Sequence, residues 1–85
     1  MSIPYIDEKK YSEKQGQYLA FIFYYTKING IPPAQKDFQK YFGVSAPSVH
    51  QMILQLSKMN LITRLPNSPR SLSINIPQTQ LPTLK

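Results

Sequence analysis

Cysteine is absent from this 85-residue chain, and histidine occurs once, at position 50. No disulfide framework and no thiolate metal site can form, and His50 by itself does not assemble a zinc centre. Stability therefore has to come from packing, and no cofactor is implied. No stretch approaches the ~20 apolar residues of a membrane span. Residues 1–11 hold Asp7 and Glu8 and no apolar core, so they do not read as a signal peptide. A soluble, cytoplasmic protein without a membrane partner is expected. There is also no glycine-rich phosphate loop and no metal-ligand spacing. A chain this short buries only roughly 60% of its unfolded surface on folding, which leaves little room for a deep cleft. An enzyme with a small-molecule substrate is not expected.

A further absence is acid in the second half. Up to Asp37, the five lysines at 9, 10, 14, 27 and 36 nearly balance Asp7, Glu8, Glu13 and Asp37. Beyond it come only Lys40, Lys58, Arg64, Arg70 and Lys85. A purely basic half attracts polyanions, of which nucleic acid is the commonest, although a merely solvated basic face accounts equally well for charge alone.

What is present organises into three helices and a hairpin. Ser12-Glu13-Lys14-Gln15 has the form of a capping box, so a helix is expected from Ser12 to Asn29, ended by Gly30 and by Pro32-Pro33. Leu19, Ile22, Phe23 and Thr26 form an ordinary core stripe at helical spacing. Tyr18, Phe21, Tyr25 and Ile28, with Tyr24 beside them, form a second stripe where a small helix normally shows charge. Core packing, a protein interface and base stacking all remain open for these aromatics. A shorter helix runs from about Ala34 to Phe42, with Phe38, Tyr41 and Phe42 as its buried side, and Gly43 stops it. Ser45 then caps a third helix with Pro47 in its first turn. Val49, Met52, Ile53, Leu56 and Met59 form its core stripe. Pro47, Gln51, Leu54, Gln55 and Lys58 lie opposite, flanked by Ser48 and His50. Amide and small polar side chains there suit base edges in a major groove, where Gln bonds both N6 and N7 of adenine; a plain solvated face is the competing reading.

After Asn60 the period changes to alternation. Leu61–Leu65 and the apolar face of Leu72, Ile74 and Ile76 read as two strands around Pro66-Asn67-Ser68-Pro69-Arg70-Ser71. Arg64 and Arg70 flank that rigid tip, within reach of phosphate or a minor groove, or simply solvated. The chain thus divides into an N-terminal arm (1–11), one domain (12–76) and a flexible C-terminal tail (77–85). Its fold class is mainly α with a small β-hairpin, a three-helix winged helix-turn-helix.

Taken in order, Gly30-Ile31-Pro32-Pro33, the turn Gly43-Val44-Ser45, Pro47-Ser48-Val49-His50, Leu61-Ile62-x-Arg64 and the hairpin Pro66 to Ile74 resemble the N-terminal DNA-binding domain of the LexA family of bacterial repressors. The resemblance covers about Ser12 to Ile76. It implies a transcriptional regulator on double-stranded DNA, located at the nucleoid, with its third helix in the major groove. Ser45, Pro47, Ser48, His50 and Gln51 would then lie at or near the bases. Arg64 and Arg70 would serve the wing, and Lys36 and Lys40 would approach phosphate. Gln55 and Lys58, on the same outer face of the third helix, complete the candidate set. The turn into the third helix is one residue shorter than is common in the family. The family's self-cleaving protease domain, which supplies its dimerisation, has no counterpart in these residues. The aromatic face of helix one (Tyr18, Phe21, Tyr24, Tyr25, Ile28) is the candidate substitute for a homodimer. It is equally the basis of the competing function, a protein-interaction module.

Overall fold

The computed structural model describes residues 10–85; the rest of the expected arm, residues 1–9, lies outside them. Three helices, α1 (Glu13–Asn29), α2 (Gln35–Phe42) and α3 (Ala46–Lys58), lead into an antiparallel pair, β1 (Ile62–Thr63) and β2 (Ser73–Ile74). Ile62 pairs with Ile74 and Thr63 with Ser73. This is the expected mainly helical, winged helix-turn-helix arrangement.

Each helix starts and stops for a local reason. At α1 the Ser12 hydroxyl accepts from the Gln15 amide (3.2 Å) while the Gln15 side chain accepts from the Ser12 amide (2.8 Å), so the capping box is closed. At α2, Ala34 has no capping side chain, and the Asp37 carboxylate accepts from its amide instead (2.7 Å). Gly43, at φ 66°, ends α2 in the left-handed region, which a residue with a Cβ rarely adopts, and lets the chain turn within three residues into α3. Ser45 caps α3 by accepting from the Ser48 amide (3.3 Å). Its C-terminus closes when Asn60 turns left-handed (φ 61°) and the Leu61 amide reaches the Leu56 carbonyl at 3.0 Å.

The core gathers Leu19 and Ile22 of α1, Phe38 of α2, Val49, Ile53 and Leu56 of α3, and Leu61, Ile62 and Leu72 of the hairpin. Beside it lies an aromatic cluster. Tyr18 stacks on Phe42 (4.6 Å between ring centroids) and on Phe38 (5.2 Å), and Phe21 tilts against Phe38 (5.0 Å) and Tyr41 (4.7 Å). Tyr18 and Phe21, expected as part of a candidate interface, are thus buried: α2 folds across that face of α1. Burial also pushes the Tyr18 phenol up in pKa. Tyr41, expected to be buried, is about half exposed, as is Met59 at the end of α3. Phe23 and Thr26, expected on the core stripe, are only half-buried, because the core lies against the first turns of α1.

Residues 77–85 show no periodicity and were expected to be a flexible tail, yet they lie along α1. A short 3-10 turn (Gln78–Gln80) leads Leu81 and Leu84 onto the core. The Gln17 side chain donates to the Thr83 carbonyl and accepts from the Lys85 amide, both at 2.8 Å. Tyr11 donates to the Gln80 carbonyl and Tyr41 to that of Lys85. Gly16 permits this approach: a Cβ there would stand 2.6 Å from a Tyr11 ring carbon and 3.1 Å from Pro82. These contacts are side chain to backbone between distant segments, which no sequence period encodes.

Candidate nucleic-acid interface

The rotation of α3 is set by its apolar residues. Val49, Ile53 and Leu56 recur every three or four residues and are buried, which turns Pro47, Ser48, His50, Gln51, Leu54, Gln55 and Lys58 to solvent. All the candidate residues of this helix, with its cap Ser45, are therefore exposed on one element. The helix is further fixed at its start by the Gln35 side chain, which donates to the Ala46 carbonyl at 3.0 Å. Gln55 is partly engaged: its side-chain oxygen accepts from Gln15 of α1 at 3.3 Å.

Two grooves flank α3. On the hairpin side a groove of about 690 Å³ has Phe38, Ile53 and Leu72 along its floor and His50, Arg64 and Gln35 among its polar lining. On the α1 side a smaller one of about 360 Å³ is lined by Lys14, Ser45, Pro47, Ser48, Gln51 and Gln55. Lys14 and Gln35 are not among the residues expected there from sequence. Lys14 belongs to the first turn of α1, and only the packing of α1 against α3 carries it there.

The cations divide into free and engaged groups. Lys36 and Lys40 are exposed on α2, Lys58 on α3 and Arg64 after β1. Arg70 is different. Rather than projecting from the hairpin as expected, its Nη1 donates to Asp37 Oδ2 (3.0 Å) and to the Pro32 carbonyl (3.1 Å). The Tyr25 phenol, the largest influence, and the Asp37 carboxylate raise the Arg70 pKa against the cost of its burial. Burial likewise works to raise the Asp37 carboxyl, but the Ala34 amide and the Arg70 guanidinium outweigh it and hold the group below the ordinary carboxylate range. In sequence a basic residue beside a turn looks free; the partner of Arg70 lies 33 residues earlier.

The remaining acid of the described residues is also paired: Glu13 meets Lys85 at 3.1 Å on the exposed side of α1. No unpaired carboxylate therefore opposes Lys14, Lys58 or Arg64 among the described residues. Of the aromatic face, Tyr25 packs against the core, Tyr24 is half-buried edge-on to Phe23 (5.0 Å), and Ile28 stands 79% exposed. Among the described residues no group of three His, Cys, Asp or Glu side chains could hold a metal ion, and no helix is long and apolar enough to cross a membrane.

Comparison with known proteins agrees with the resemblance read from the sequence. The chain is 38% identical over 66 residues to the LexA repressor of Thermosipho melanesiensis. It is 36% identical over 67 residues to that of Clostridium perfringens, and 33% identical over 67 to that of Exiguobacterium sibiricum. Each match takes in 78% of this chain and 33% of the relative, so the chain spans about one third of the length of the curated relatives it matches. No family model matches the chain.

Proposed function

This chain carries a LexA-like domain, and from that premise we propose that it binds double-stranded DNA as a transcriptional regulator at the bacterial nucleoid, without catalysis. The observation that carries the reading is the outer face of α3. It is largely polar, exposed along its length, and bordered by Lys14, Lys58 and Arg64, with no free side-chain carboxylate beside them among the described residues.

In this reading α3 enters the major groove. Ser45, Pro47, Ser48, His50 and Gln51 approach base edges with the first turns of the helix, Gln51 pairing with an adenine. Gln55 and Lys58 follow the groove outward. Arg64 reaches the backbone or minor groove from the hairpin, and Lys36 and Lys40 neutralise phosphates. Fluorescence anisotropy on a mixed-sequence duplex, titrated across salt, tests it. Micromolar affinity falling with a log–log slope for ~3 to 6 phosphates is the expected result. No binding at low salt would remove the DNA reading.

A second reading, association through α1, is favoured by Ile28 at 79% and Ile31 at 47% exposure beside half-buried Tyr24. A homodimer would let two α3 helices read half-sites about one DNA turn apart. Sedimentation giving a monomer at tens of micromolar would sink self-association, and dependence of partner capture on Ile28 and Tyr24 would support an interaction module.

A further inference from the structure

The hairpin that presents Arg64 has little of its own to hold it. Its strands are two residues each, shorter than the three or more that pairing normally needs. The tip is organised internally by Ser71, whose hydroxyl accepts from the Leu65 amide (2.8 Å) and donates to the Ser68 carbonyl (2.8 Å), with Asn67 left-handed at φ 62°. Those bonds shape the tip but do not orient it toward the helices. Besides buried Leu72, the polar tie from this end of the hairpin to the body is Arg70. One Nη1 joins Asp37 in the first turn of α2 and the Pro32 carbonyl in the α1–α2 connection, and the same Asp37 oxygen also receives the Ala34 amide at 2.7 Å. The pair is partly shielded, with the Arg70 side chain 32% and Asp37 18% exposed, so water screens it only partly.

We infer that Arg70 is a positioning residue: through Asp37 and the Pro32 carbonyl it clamps the hairpin tip to the start of α2 and thereby sets where Arg64 stands relative to α3. This assignment rests on the DNA reading for its consequence but on the free protein for its geometry. It places Arg70 in the role of a clamp and leaves Arg64 as the hairpin cation that meets DNA. Asp37, an acid within a basic domain, then strengthens binding instead of opposing it.

Two measurements test this on the intact chain. In the free protein, Arg70→Gln and Asp37→Asn are each expected to speed amide exchange at Leu65 and Ser68 while leaving core amides of α1 and α3 protected; unchanged exchange at the tip in both overturns the clamp. On a duplex, Asp37→Asn is expected to weaken binding about three- to tenfold even though it raises the net charge by one unit. Simple electrostatics predicts the opposite sign, so tighter binding by Asp37→Asn overturns the inference. Arg64→Gln supplies the third check. Arg70→Gln should add nothing in that background, whereas a further loss there would make Arg70 a direct DNA ligand. Should the wild-type chain bind no duplex at any salt, the DNA reading fails on its own and the exchange result alone decides the clamp. Arg70→Lys, which keeps one donor, should restore part of the protection and guards against a variant that merely unfolds.

Discussion

α1 and α3 contribute to one core but leave different surfaces behind. α1 is apolar nearly all round because it is covered twice, by α2 and the hairpin on one side and by residues 77–85 on another. α3 is covered once, and its outer face remains polar and open. The difference teaches that an aromatic stripe does not by itself mark a binding surface. Tyr18 and Phe21 look like a spare face in the helical projection, yet the rings of α2 occupy it. A polar stripe gains meaning in the same way, from what fails to fold over it.

The sharpest way to break this contrast is to remove a ring from the covered side. Phe38→Ala should cost about 3–5 kcal/mol, because Phe38 is fully buried between Tyr18 and Phe21, and urea unfolding would show it. On the open side Gln51→Ala should change stability by no more than about 0.5 kcal/mol. The same variant should lower discrimination at one base pair by about 1–3 kcal/mol, read by competition between duplexes. If Gln51→Ala destabilised like Phe38→Ala, the two faces would not differ as described.

The Asp37–Arg70 tie, which joins the hairpin to α2, has an acid signature. A carboxyl held below its unfolded value of roughly 3.9 stabilises the fold above that value, and the contribution is lost as pH falls through the folded one. Asp37→Asn should therefore unfold at lower urea than wild type near neutral pH, by about 1–2 kcal/mol. The two midpoints should converge below about pH 4; a gap independent of pH would show that the charge is not involved. A small net effect is expected at Gly16. Gly16→Ala gains roughly 0.5–1 kcal/mol of helix propensity but pushes Tyr11 and Pro82 away. Net stability should move by less than about 1 kcal/mol, while the Tyr11 to Gln80 and Gln17 to Thr83 contacts disappear from nuclear Overhauser spectra.

Much of the architecture was legible because its signals are local. The capping box at Ser12, the stop at Gly43 and the cap at Ser45 each involve residues within a turn of one another, and the structure closes them as read. The outer face of α3 follows from periodicity alone. What was not legible is long-range. Arg70 looked like a free wing residue, since nothing near it in sequence reveals Asp37. Lys14 carries no local signal of its place, because its neighbours in sequence are α1 and not α3. Residues 77–85 lacked a pattern because Gln17, Tyr11 and Gly16 hold them one contact at a time.

The sequence by itself determined where the helices begin and end, which face of α3 is apolar, that the second half is basic, and the likeness to LexA repressors. Spacing and capping depend on neighbours a few residues apart, and side-chain type is enough to state them. Only the tertiary structure decided which cations are free, which aromatics are surface and what lies on α1. Each of those depends on a partner from a distant segment, and such a pairing is chosen by packing the whole domain at once.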